Sequence, residues 1–383
     1  MLRAVRLAFS GNVLPDALPD ALIVGAGIIG AACARELSRA GLQVAVCDES
    51  HTIGGGATAA GMGHLAVMDD SPAQFALTSY SQQLWRELAP ELPAEAEYLP
   101  CGSLWVAADE EELAEVHRKF DFYSARGIPV QILDAAQLAA AEPNLRPGLA
   151  GGLLMPADSV CYPPCAAAFL MRDIPFLPGR HVVAVSDTGV TFADGSALAA
   201  GCIILATGTA ITQLIPGAPV YPRKGHLLIT DRYPGFLQHQ LIELGYLNSA
   251  HSVASDSVAF NAQPRQTGQI LIGSSRQYGV EEAQTEPAIL QRMLARAVEY
   301  MPALADLSAI RTWTGFRAAT PDKLPLIGLC DGYKNVYLAT GHEGLGISTS
   351  LATARLLADQ ILGRESAIPR EPYHPARNFP AHG

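Results

Sequence analysis

The chain has 383 residues, 49% hydrophobic and 16% charged, with a formal net charge of −11 and an isoelectric point near 5.4. A chain this long buries a sizeable core without disulfide or metal staples, and its length suggests two domains. Its acidity disfavours binding to nucleic-acid phosphates and to anionic membrane, and no apolar run is long enough to span a bilayer.

Residues 1–20 read as an N-terminal extension. Arg3 and Arg6 sit among too few apolar residues for a secretory core, and Pro15 and Pro19 oppose a helix there. Ala21–Gly25 reads as a buried strand, Ile28–Ala40 as a helix stopped by Gly41, and Gln43–Asp48 as a second strand, together a β-α-β unit. The small residues from Gly54 to Gly63 would be wasted in a helix and suit backbone that approaches a ligand closely. Thr78–Ala89 reads as a helix, Pro90–Pro100 as a linker and Cys101–Ala107 as a strand. Asp109 caps the next helix, with Glu112 completing a capping box and Leu113, Val116, Phe120 and Tyr123 turned inward. Asp194-Gly195 marks a hairpin turn, and strands near 225–230, 241–246, 257–262 and 269–273 read as antiparallel. Glu286-Pro287 opens a helix that ends before Pro302; Tyr333–Ala339 reads as a strand and Ile347–Leu362 as a last helix. The expected fold class is α/β plus an antiparallel sheet. A discontinuous Rossmann-like nucleotide domain takes 21–80, 150–215 and 315–365, and a mainly antiparallel second domain takes 81–149 and 216–314.

Four stretches carry the chemistry. Gly25-Ala26-Gly27-Ile28-Ile29-Gly30 follows a strand and opens a helix, and Asp48 ends the next strand eighteen residues after Gly30. That context fits a dinucleotide fingerprint: Gly25 for the tight turn, Gly27 for close approach of the pyrophosphate, Gly30 for helix–strand packing, and Asp48 for the ribose hydroxyls. Ala206-Thr207-Gly208 follows an apolar strand; alone, a strand-ending turn explains it equally well. Gly341 to Ser348 precedes the last helix and supplies a second helix N-terminus able to stabilise negative charge. Arg317 is the basic residue of an otherwise apolar, proline-bounded segment, where it is either a carboxylate fork or a surface partner of a structural acid. The seven cysteines, Cys33, Cys47, Cys101, Cys161, Cys165, Cys202 and Cys330, form neither a zinc pattern nor a disulfide framework, so a reducing, cytoplasmic compartment and no metal are expected.

These motifs occur in family order from Ala21 to Leu362, and the chain resembles the D-amino-acid oxidase-like flavoproteins, which include glycine oxidase and monomeric sarcosine oxidase. The resemblance implies FAD in the nucleotide domain. It places Asp48 and its neighbour Glu49 at the ribose, Ala57 and Thr58 at the phosphates, and Ala60, Gly61, Met62 and Gly63 beside the isoalloxazine. Backbone at Val183 would touch adenine, and Gly344, Leu345, Gly346, Ile347 and Ser348 would meet the pyrimidine end. Arg317 matches the arginine that holds the substrate carboxylate. Gly344 stands where glycine oxidase has a second arginine, which leaves Arg276 and Tyr246 as helpers. Gly315 stands where monomeric sarcosine oxidase bonds its flavin through cysteine, so non-covalent FAD is expected. His64, His226 and His342 are candidates for a base, each with a structural histidine as the alternative.

A narrower resemblance is carried by Arg223-Lys224-Gly225-His226, Phe260 to Gln269, Ile272 to Arg276, Thr320 to Pro325 and Gly341 to Gly346. These segments are similar to the FAD-carrying β subunits of D-hydroxyproline dehydrogenase, opine oxidases and bacterial hydrogen cyanide synthase. The implied reaction oxidises the C–N bond of a small amino or imino acid of D-hydroxyproline type, with hydride passing to flavin N5. The implied partners are other dehydrogenase subunits met through an apolar patch, with FMN at a subunit interface as a further cofactor and the inner membrane reached only through them. A stand-alone oxidase using oxygen, an electron-relay subunit without a substrate, and an NAD-dependent dehydrogenase are the alternatives.

Overall fold

The structure is a computed structural model that describes residues 18–245 and 256–379. Most of the expected N-terminal extension and the candidate Tyr246 lie outside the described residues.

One sheet has six strands, in spatial order Leu326–Leu329, Val336–Thr340, Cys202–Leu205, Ala21–Val24, Val44–Cys47 and Phe176–Leu177. All neighbours are parallel except the first pair. Both faces are covered, which is why these strands are continuously apolar instead of alternating. Ala21, Ile23, Val44, Val46 and Ile204 face a core that includes the helices Ile28–Arg39, Pro72–Leu88 and Gly346–Ile361. Leu22, Val24, Ala45, Cys47, Ile203 and Leu205 face the meander Val182–Ser186, Gly189–Phe192 and Ala197–Ala199. The helix Ile28–Arg39 ends where Gly41 takes a φ of +96°; nothing stands within 4 Å of a Cβ there, so conformation and not space asks for glycine.

The second sheet has eight strands, in the order Ala309–Ala319, Tyr221–Thr230, Ile270–Tyr278, Ser257–Pro264, Gln240–Glu243, Ser103–Ala107, Gly151–Met155 and Gln131–Asp134. It is antiparallel apart from the pairing of Gln240–Glu243 with Ser103–Ala107. Helix Pro287–Tyr300 covers one face, burying Met293, Ala297 and Tyr300 against Leu228, Leu241 and Phe260, with the Tyr300 and Phe260 rings stacked 4.9 Å apart. The other face packs Trp105, Leu153 and Ile242 with Val116 and Tyr123 of the helix Glu110–Ser124, and Leu227 and Leu271 with Met62 of the first domain.

Several boundaries differ from those expected. The helix expected from Thr78 starts at Pro72, because Ser71 accepts the Gln74 N–H and proline suits the first helical position. Glu112 makes no capping box with Asp109: its carboxylate accepts from Ala108 N–H, one residue earlier, while Asp134 and Gln137 form a complete box further on. Lys119 joins Val116 and Tyr123 on the buried face of that helix, neutralised by Asp69 at 2.5 Å, and Leu113 and Phe120 are half-buried. Gly56–Ala59 does form one helical turn inside the glycine-rich run. The expected strands 101–107, 241–246 and 333–339 shrink or shift to Ser103–Ala107, Gln240–Glu243 and Val336–Thr340. Gly151–Met155 belongs to the eight-stranded sheet, so the chain re-enters the first domain later than residue 150. The large apolar side chains exposed among the described residues are Leu18, Val183 and Ile310.

Candidate active site

A cleft of about 480 Å³ is lined by residues from both sheets. At one end stands the Gly25–Gly30 turn, whose three glycines have different tasks. A Cβ on Gly25 would press on Ala206 O at 2.5 Å, and one on Gly30 would collide with Gly25 O, so both serve close packing of backbone. A Cβ on Gly27 would meet only Thr58 Oγ1, at 3.2 Å, and would otherwise project into the cleft. That opening is the cradle a pyrophosphate requires. Thr58 Oγ1 accepts from Ile28 N–H at 2.9 Å, which joins the helix N-terminus to the glycine-rich run and leaves its own O–H to donate. Asp48 accepts from Ala26 N–H at 2.7 Å and from Ser50 N–H at 2.8 Å, so it fixes the turn, and each oxygen keeps a second acceptor site for ribose. Exposed Glu49 pairs with His181 at 2.8 Å on the rim.

The last helix enters the same cleft. Gly344, Leu345, Gly346, Ile347 and Ser348 line it, and no side chain caps this N-terminus. Ser348 Oγ donates to His64 O at 2.8 Å and accepts from Ala66 N–H at 3.3 Å, binding the glycine-rich run to the helix. Trp313 Nε1 donates to Ala60 O at 3.3 Å from the other sheet. A side chain on Gly315 would collide with Ala60 Cβ, so close packing asks for glycine there. The residues present therefore fit FAD along this wall.

At the opposite wall Arg223, Arg276 and Arg317 come together. Arg223 and Arg317 are cross-strand partners and point to one face. Arg276 shares that face by ordinary alternation, two residues from Tyr278, the cross-strand partner of Arg223. Arg317 lies across Gly225, where any Cβ would strike its guanidinium, and against Gly344, where a Cβ would stand 3.3 Å from Nε. Its Nη1 donates to Ser275 O at 3.0 Å, the one hydrogen bond it makes among the described residues. Arg223 pairs with Glu343 and donates to Tyr278 Oη at 3.3 Å. Burial and the charge of Arg223 lower Arg317 to about 10; burial, Arg223 and Arg317 lower Arg276 to about 9. Burial raises Glu343 in spite of the arginines around it. Such a concentration of cations favours an anionic ligand.

The histidines are weak bases here. Burial pushes His64 down to about 4 and His342 down to about 3, and His342 Nε2 lies 3.0 Å from Thr353 Oγ1. His226 faces away from the cleft: its Nε2 accepts from Glu286 N–H at 3.1 Å and its Nδ1 lies 2.9 Å from Ser275 Oγ, so it is a structural histidine.

The cleft thus gathers Gly25, Gly27, Ile28, Ile29, Asp48, Glu49, the segments Ala57–Thr58 and Ala60–His64, the triplet Ala206–Gly208, Arg276, Arg317, His342 and Gly344–Ser348. Gly30 stands behind it. Val182 lines it, and the neighbouring Val183 turns its side chain to solvent at 48% exposure; the contact expected of Val183 was through its backbone, which the side-chain direction leaves open. Sequence reasoning passed over Glu343, Arg223, Trp105, Gln240 and Asn261 as site residues, and all five line the cleft. Arg223 and Asn261 lay within the segments of the narrower resemblance; for Trp105 and Gln240 no sequence signal existed.

Comparison with known proteins agrees with this geometry. A family model described as FAD dependent oxidoreductase matches residues 20–360. Glycine oxidase of Pseudomonas aeruginosa is 29% identical over 380 residues, covering 93% of this chain and 98% of that protein. The hydrogen cyanide synthase subunit HcnC of Pseudomonas aeruginosa is 29% identical over 413 residues, covering 91% and 93%. The crystal structure of glycine oxidase from Geobacillus kaustophilus superposes with a TM-score of 0.85 at 26% identity, over 94% of this chain and 99% of that one.

Proposed function

The chain belongs to the FAD dependent oxidoreductase family and binds FAD, and from that premise we propose that it oxidises the C–N bond of a small amino or imino acid of D-hydroxyproline type. The observation that carries this is Arg317, a guanidinium fork held across Gly225 in the cleft that also contains the Ala60–Gly63 run. A fork of this kind matches the two oxygens of a carboxylate, which orients the neighbouring carbon. Bound FAD supplies the two-electron acceptor for hydride from that carbon. Arg276 adds attraction for the carboxylate, and Glu343 keeps Arg223 in place beside it. The uncapped N-terminus of Gly346–Ile361 favours negative charge at its end of the cleft. His64 and His342 stay neutral and accept protons poorly, so the amine reacts as the free base and the imine product hydrolyses in water.

We further propose that the chain is the β subunit of a dehydrogenase and passes electrons to a partner subunit, through FMN at their interface. The similarity to a subunit of hydrogen cyanide synthase supports this. Similarity to glycine oxidase at equal identity favours a second reading, a stand-alone oxidase using oxygen. Anaerobic mixing with amino acids tests the reaction: bleaching of the flavin by a small amino or imino acid is expected, and none by any of them would overturn it. Readmitting air then separates the acceptors. Slow reoxidation, relieved by a dye, supports a partner; reoxidation as fast as turnover supports the oxidase.

A further inference from the structure

The face of the eight-stranded sheet that looks into the cleft is not uniformly apolar. Along Gln240–Glu243 the residues on this face are Gln240 and Ile242; beside them stand Trp105 and Asn261, each registered with Ile242. All four line the cleft. Gln240 is fully buried, and neither its Oε1 nor its Nε2 has a hydrogen-bond partner. Asn261 is 9% exposed and its Oδ1 is equally without one. Gln74, on the helix Pro72–Leu88, also lines the cleft with its buried Oε1 unpartnered.

The site adjoins the flavin wall. Asn261 is registered with Gly273, and a Cβ on Gly273 would lie 3.1 Å from Met62 Sδ. Met62 belongs to the Ala60–Gly63 run. The amides therefore stand near that run in a cleft that also holds Arg317, among Trp105, Ile242 and Leu227. Buried amides without partners are costly unless something pairs with them, and apolar neighbours cannot. Being uncharged, they suit a neutral group that both donates and accepts, whereas the carboxylate has the arginines.

We propose that Gln240 and Asn261 form a polar subsite for a hydroxyl or amide carried by the amino-acid substrate beyond its reacting carbon, an inference that rests on the carboxylate role of Arg317 above. A pocket built to hydrogen-bond a substrate group rejects the analogue lacking it, because its own polar atoms are then left unpaired. The subsite sets specificity and takes no part in hydride transfer.

The test is anaerobic stopped-flow reduction of the FAD-loaded chain by matched pairs: the stereoisomers of 4-hydroxyproline against proline, and serine against alanine. The hydroxylated member of at least one pair reduces the flavin at least about tenfold more efficiently at limiting substrate. In Gln240→Met and Asn261→Leu that ratio falls toward one, with FAD content retained. Gln240→Asn, which keeps the amide but withdraws it by one methylene, lowers the ratio as well. Binding is read separately, from perturbation of the flavin absorbance by 3-hydroxybutyrate and by butyrate. Reduction by amino acids with no preference within any pair, or a preference unchanged in the variants, overturns the subsite. Absence of reduction by any amino acid overturns the functional proposal itself, and this one with it.

Discussion

At the scale of single residues, the space around each glycine decides what it can do. Gly27 opens to the cleft, so Gly27→Leu should leave a folded protein that has lost FAD, seen as a colourless chain with a cooperative melt. Gly225 is different: its missing side chain is the bed on which Arg317 lies. Gly225→Ala should keep the flavin and raise the substrate concentration for half-reduction about tenfold, as Arg317→Ala should, since each disturbs a charge-assisted pair of about 1.5–3 kcal/mol. Arg317→Lys should recover only part of the loss, because an ammonium lacks the fork. The histidines make a prediction about pH. With His64 near 4 and His342 near 3, neither changes charge above pH 5. Flavin reduction at low substrate should therefore rise with pH along the titration of the substrate amine. The rising limb should move when a substrate of different amine basicity is used; a rising inflection fixed for all substrates would reveal a base in the protein, whereas a fixed fall from about pH 9 belongs to Arg276 and Arg317.

At the scale of elements, the flavin wall is assembled from pieces distant in sequence. Ser348, on the first turn of the last helix, holds both His64 O and Ala66 N–H, and Trp85 Nε1 donates to Ile347 O at 3.2 Å from the helix Pro72–Leu88. Removing the hydroxyl strands a buried N–H, at a cost of about 1–3 kcal/mol. Ser348→Ala should lower the unfolding free energy in urea by that amount and weaken FAD retention on dialysis, while Arg317-dependent substrate affinity in the flavin-loaded fraction stays unchanged. The one-residue slip between two central strands works at the same scale. It brings Gly273 and Arg276, three residues apart, to a single face, a placement that regular alternation forbids.

At the scale of the whole molecule, stability should depend on Asp158. Its carboxyl is buried, accepts from Gln82 Nε2 at 2.7 Å and is raised by burial from 3.8 to about 7. The folded state then binds more protons at this group than the unfolded state between these values, so the contribution of Asp158 to stability is fully present below pH 4 and is lost as pH rises through 7. Three pKa units correspond to about 4 kcal/mol. Asp158→Asn keeps the acceptor for Gln82 and removes the ionisation. The variant should match the parent in urea midpoint at pH 4 and exceed it at pH 8; equal midpoints at both would place the charge elsewhere. Cys161 and Cys165 are also raised by burial, which makes them poor thiolates.

Local physics made the nucleotide half legible. Glycines that must turn or approach, a strand before them, a helix after them and an acid at the next strand end all lie within about thirty residues, and each is imposed by neighbours along the chain. The late glycine loop could be read for the same reason, whereas Arg317 stood open between a carboxylate fork and the partner of a structural acid, and only the resemblance assigned it. Pairing across the eight-stranded sheet was out of reach, because which strands meet and in what register depends on long-range contacts. That is why Arg276 could be suspected but not placed, why Glu343 went unrecognised as the partner of Arg223, and why His226 could not be told from a catalytic histidine until its face was known. The amides of Gln240 and Asn261 are ordinary polar residues in sequence. Only burial without partners, a property of the packed molecule, sets them apart.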